Sequence, residues 1–77
     1  MMSENTRWAG SLTIRYNSGA SETRRAASHT GDTQSLVDLL RSMGWRVLLV
    51  TEDGENLVAE TSATYGKIMG HWSVVQY

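Results

Sequence analysis

The chain has no cysteine, no proline and no long apolar run, and each absence removes a class of protein. Without cysteine there is no disulfide framework, no Cys-based zinc site and no thiol nucleophile. A chain of 77 residues buries only about 60% of its unfolded surface on folding. Helix-on-sheet packing, or oligomerisation, therefore has to supply the stability that staples give other small domains. Without proline, nothing reads as a rigid hinge or a proline-rich ligand. No apolar stretch approaches the roughly 20 residues of a membrane span. The polar opening MMSENTRWAGS also lacks the apolar core of a signal peptide, so a cytoplasmic protein is expected.

A strong excess of one charge is missing too. The formal net charge is -1, which argues against a strong sequence-independent attraction to the nucleic-acid backbone, a term that grows with each phosphate neutralised. The charges are nevertheless uneven along the chain. Arg7, Arg15, Arg24, Arg25, Arg41 and Arg46 come early, against Glu4, Glu22, Asp32 and Asp38; beyond them only Lys67 opposes Glu52, Asp53, Glu55 and Glu60. A dipolar surface of this kind suits the steering of a protein partner.

Catalytic signatures are also lacking. His29 and His71 are the only imidazoles, too few for a His-based metal site without carboxylates, and no H-E-x-x-H spacing occurs. No G-x-S-x-G elbow presents a serine, and Lys67 in YGKIMG does not follow a phosphate loop. The sequence HWS at 71–73 matches half of the paired H-x-[ST] signature of two-histidine phosphoesterases, but His29 is followed by Thr30 and Gly31. No catalytic residue, metal or cofactor is expected. A small ribonuclease-like site using His29 and His71 beside Arg24 and Arg25 is the enzymatic alternative.

The segments that are present alternate cleanly. SLTIRYN has the period-two pattern of a half-buried strand, NSGA suits a hairpin loop, and SETRRAASH continues as an edge strand with small and charged residues on both faces. In TGDTQSLVDLLRSMG, Asp32 or Thr33 caps a helix, Leu36, Leu39, Leu40 and Met43 recur at helical spacing, and Gly44 ends it. WRVLLVT reads as a buried central strand, and EDGE carries the Asp53-Gly54 hairpin signal into NLVAETSA. TYGKIMG is a loop or an interrupted strand, and HWSVVQY is the last strand, with Val75 and Tyr77 on one side. The expected class is α+β: one domain over 1–77 with residues 1–7 loosely held, a single helix packed on an antiparallel sheet of four to five strands, in the order β-β-α-β-β-β.

One helix covers one face. If it packs on the side of Trp45, Val47 and Leu49, then Leu48, Val50, Val58 and Val75 form an apolar strip on the open face, suited to association, with a homodimer as one outcome. Arginine and aromatics are enriched at binding hot spots, so Arg7, Trp8, Arg15, Tyr16, Arg24 and Arg25 are the candidate partner-binding residues, with Trp45 buried and Trp8 at least partly exposed. The first hairpin, with Tyr16 and Trp8 as stacking groups, is also the basis of an alternative nucleic-acid-binding or regulatory role.

In size, lack of cysteine and strand-helix-strand order the whole chain resembles the small accessory proteins of phages and mobile elements, including anti-CRISPR inhibitors. That resemblance implies a non-enzymatic inhibitor or accessory protein that occludes a larger protein or nucleoprotein complex in the host cytoplasm; the acidic balance, the single lysine and the lack of an RNP-like aromatic motif make direct nucleic-acid binding the lesser expectation.

Overall fold

The computed structural model describes residues 5–75. The alternating Leu12, Ile14 and Tyr16 do form a strand, but it begins earlier than their pattern indicates: β1 runs Arg7–Tyr16, followed by β2 (Ser21–Arg25), β3 (His29–Thr30), α1 (Thr33–Ser42), β4 (Arg46–Val50), β5 (Asn56–Ala63) and β6 (Gly66–Val74). All pairings are antiparallel, in the order β2-β1-β6-β5-β4, with β3 also on β1. The class is α+β with one helix, and the sheet has six strands rather than four or five. The added strand comes from a bulge. Arg25 pairs with Ser11 and His29 with Trp8, so Ala26, Ala27 and Ser28 stand against only Ala9 and Gly10 and divide one edge segment into β2 and β3.

GKIMG and HWSV form a single strand, Gly66–Val74, after a turn at Thr64 and Tyr65, because the two glycines that look like interruptions make room for neighbours. A Cβ at Gly66 would collide with the Arg15 carbonyl, and one at Gly70 with the indole of Trp72. Gly10, which faces Trp72 from β1, lies against the same ring. Trp72 thus lies across a glycine floor, and Trp45 meets it edge-on with ring centroids 5.4 Å apart.

The helix lies over this floor. Asp32 is its N-cap, accepting from the Ser35 N-H at 2.8 Å, and Gly44 follows its end at φ 91°. Leu36, Val37 and Leu40 pack with Trp8, Leu57, Ala59 and Trp72 in one buried cluster. Fully burying each large apolar side chain contributes about 1.5–3 kcal/mol. Trp8, expected to be partly exposed, is 1% exposed. Its Nε1 donates to the Gly31 carbonyl at 3.0 Å, so the ring is buried with its one polar atom satisfied.

The segment WRVLLVT differs most from expectation. It is the outer strand at the far edge, with Arg46, Leu48, Leu49 and Val50 all exposed, and among the described residues its only sheet neighbour is β5. A second bulge changes its faces: Val47 pairs with Ala59, Leu49 with Val58 and Val50 with Leu57, so Leu48 and Leu49 together oppose Val58. Leu49 therefore leaves the helix side and Val50 joins it. The Asp53-Gly54 pair sits in a four-residue loop, 52–55, closed by Thr51 N-H to the Asn56 carbonyl at 3.0 Å, rather than forming a two-residue turn. Tyr77 lies outside the described residues, as do residues 1–4. Arg7 is already in β1, where its carbonyl accepts from the Val75 N-H.

Two substitutions test this arrangement. Gly70→Ala forces a methyl under the Trp72 ring and is expected to cost about 1–3 kcal/mol, lowering Tm by roughly 5–20 °C. Asp32→Ala removes the helix cap and should cost about 1 kcal/mol. Urea titration followed by circular dichroism measures both.

Candidate functional site: the open face of the sheet

Residues directly opposite each other on antiparallel strands share a face, so register assigns every strand position. The helix side takes Trp8, Leu12 and Ile14 of β1 and their partners Val74, Gly70 and Ile68 of β6. Among the described residues the other face has no helix over it. Across it run three rows: Arg25, Ser11, His71, Val58 and Leu49; Thr23, Thr13, Met69, Glu60 and Arg46; Ser21, Arg15, Lys67 and Ser62. Arg7, opposite Thr30, belongs to the same face near its lower edge.

This face sorts the charges. Among the described residues it holds Arg7, Arg15, Arg25, Arg46 and Lys67 against Glu60, which amounts to +4. The other described carboxylates, Glu22, Asp32, Asp38, Glu52, Asp53 and Glu55, against Arg24 and Arg41 amount to -4, and Glu4, outside the described residues, brings the total to -1. Glu60 is shared: Arg46 forms an ion pair with it, and Lys67 approaches it at 3.5 Å. The Arg46 guanidinium, hydrogen-bonded to it, holds the Glu60 carboxyl below the usual carboxylate range. Arg15 sits directly opposite Lys67, a like-charged pair across neighbouring strands, and such pairs are destabilising unless an anion lies between or above them. Ser11, Thr13, Ser21 and Thr23 surround these cations with hydroxyl groups.

Arg24 and Arg25 are separated by the sheet. Arg25 pairs with Ser11 on the open face; Arg24 pairs with Leu12 on the helix side and is engaged by Glu22 at 2.9 Å. Glu22 also accepts the Tyr16 hydroxyl, and that bond, ahead of the Arg24 contact, lowers its pKa while raising that of Tyr16. Tyr16 stacks at a tilt on Tyr65, centroids 5.6 Å apart. Tyr16 and Arg24 are thus tied to Glu22 on the opposite face from the other arginines, and Trp8 is in the core. Of the six candidate binding residues, the structure brings Arg7, Arg15 and Arg25 onto one face. Of the candidate strip, Leu48 and Val58 stay together there, Val50 turns to the helix side through the bulge, and Val75 lies at the Arg7 end.

The histidines are separated in the same way. His29 pairs with Trp8 on the helix side, its Nε2 2.9 Å from Ser35 Oγ, whereas His71 is on the open face with Nε2 3.2 Å from Asn56 Oδ1. The sheet between them prevents a joint acid-base role. Among the described residues no three His, Asp or Glu side chains converge as a metal would need. An apolar groove of about 230 Å³ runs between the helix and the β2–β3 bulge, bounded by Ala26, Leu36, Leu39, Met43, Trp45 and Trp72.

Arg46 and Lys67 carry no local signal that marks them as members of this face. The period-two alternation of β6 would have grouped Lys67 with Met69 and His71, but grouping them with Arg15 and Arg25 needs the strand order. No family model, curated protein or solved structure matches the chain.

The depressed carboxyls have a consequence for stability. Glu22, Asp53 and Glu60 are all lowered, by hydrogen bonds from Tyr16, Thr51 and Arg46 respectively. Their contributions are complete above the unfolded carboxylate pKa of about 4.3 and are lost as pH falls through the lower folded values. Thermal melts are expected to show no change from these groups between about pH 8 and pH 5 and a declining Tm below about pH 4. Glu60→Gln should flatten part of that acid limb.

Proposed function

We propose that the protein is a non-enzymatic binding module that lays its open sheet face on an acidic surface of a larger protein or nucleoprotein complex, acting as an inhibitor or accessory protein. The segregation, among the described residues, of five cations and one carboxylate onto a face without a covering helix carries this reading. Oriented charge of this kind raises encounter rates and fixes orientation against a complementary surface. Next to the cations lie Met69, Val58 and the exposed Leu48 and Leu49. Apolar residues bordered by arginine are characteristic of protein interfaces.

The alternative of single-stranded nucleic acid on the same sheet requires rings for the bases to stack on. Trp8, Trp45 and Trp72 pack in or against the core, and Tyr16 pairs with Tyr65 away from the open face. Among the described residues the open face therefore offers phosphate-binding groups but no Trp or Tyr ring for bases to stack on, which favours protein over nucleic acid as partner.

Arg24 and Arg25 are adjacent in sequence but on opposite faces, which gives a controlled test. In capture from a bacterial lysate, Arg15→Glu combined with Arg25→Glu is expected to weaken partner retention by at least about tenfold, with circular dichroism unchanged. Arg24→Glu should retain it. Loss with Arg24→Glu and retention with the open-face pair would reverse the assignment, and a salt-dependent shift of labelled single-stranded RNA by the purified protein would favour the nucleic-acid reading.

A further inference from the structure

The two edges of the sheet are unlike. The β2 edge carries Glu22, Arg24 and Arg25 and is broken by the bulge at 26–28, the usual protection against pairing with another chain. The β4 edge carries no charge between Arg46 and Glu52, and Leu48, Leu49 and Val50 are 47%, 55% and 38% exposed. An exposed apolar edge of this kind presents unpaired backbone groups as a template for another strand.

The bulge in β4 selects which strand fits. Arg46 shares the open face with Glu60, Val47 the helix side with Ala59, Leu48 and Leu49 the open face with Val58, and Val50 the helix side with Leu57. Thr51, bonded to Asn56, returns to the open face. From 46 to 51 the faces therefore read open, helix, open, open, helix, open, which is the same in both directions. A straight strand alternates strictly and matches only half of this pattern. A second β4, run antiparallel about a two-fold axis between Leu48 and Leu49, matches all of it: Leu48 meets Leu49 of the second copy, Val47 meets Val50, and Arg46 meets Thr51.

Charge points to the same occupant. Arg41 and Arg46 precede the exposed leucines, while Glu52, Asp53 and Glu55 follow them. Antiparallel pairing of two copies places each basic end beside an acidic end, whereas parallel pairing would place like beside like. We infer that the protein forms a two-fold homodimer by antiparallel pairing of β4 with β4 of a second copy, joining the two sheets and their cationic open faces into one surface.

This inference rests on the edge of β4 and stands apart from the identity of any acidic partner. Sedimentation of the wild type is expected to give twice the 8.6 kDa chain mass, and Leu49→Lys, which sets two charges at the axis, should sediment as a monomer with unchanged circular dichroism. Because the chain has no cysteine, Leu48→Cys gives a clean second readout. The pairing holds the two thiols across the axis at an effective concentration on the order of mM, so mild oxidation should cross-link it far faster than Ser62→Cys on the same face. Arg25→Glu should remain dimeric whether or not it weakens capture, so the homodimer and the proposed function can each fail alone. A wild type that stays monomeric up to about 1 mM, a dimer insensitive to Leu49→Lys, or equal cross-linking at the two cysteines would overturn the homodimer. So would a β4 edge occupied by a strand of a different protein.

Discussion

One ten-residue helix, about 15 Å long, has to stabilise a sheet of six strands, and it can cover only one side. The covered side concentrates the burial. Trp72 lies against Gly10 and Gly70, Trp45 meets its edge, Trp8 is sealed by a bond to the Gly31 carbonyl, and Leu36, Val37 and Leu40 close the cluster from above. Large rings laid on glycines fill the space between helix and sheet. The uncovered side must be tolerated by water, and its serines, threonines and charged residues follow from that requirement.

The same constraint distributes the charge. A strand sends alternate side chains to opposite faces, so cations placed at alternate positions in β1, β2 and β6 accumulate on the solvated side. Part of their mutual repulsion is relieved at Glu60, which Arg46 and Lys67 share. The acidic groups are concentrated instead in the β4–β5 loop, in the helix and in Glu22, which is engaged by Tyr16 and Arg24. A nearly neutral chain thereby acquires one basic face.

The two bulges adjust this pattern locally. In β2–β3 the bulge places the small residues Ala26 and Ala27 beside the helix groove. In β4 it moves Leu49 to the solvated face beside Leu48 and gives Val50 to the helix side. An apolar segment that alternation alone would divide evenly is thus left with two leucines side by side at the sheet edge.

The residues alone determined much of the architecture: the helix between Asp32 and Gly44, the alternation of Leu12, Ile14 and Tyr16, and the α+β class all follow from local periodicity and capping, which depend on neighbours a few positions away. Strand order, register and bulges were decided only by tertiary pairing, because each depends on residues far apart in the chain. WRVLLVT looked central because its side chains are apolar, but whether such a strand is central or at an edge is set by how many neighbours it has. Trp8 looked exposed because it sits near a polar terminus, yet β1 is the strand beneath the core. The assembly of Arg15, Arg25, Arg46 and Lys67 on one face could be read only once β2, β1, β6, β5 and β4 stood in order, since no spacing in the sequence encodes a contact across four pairings.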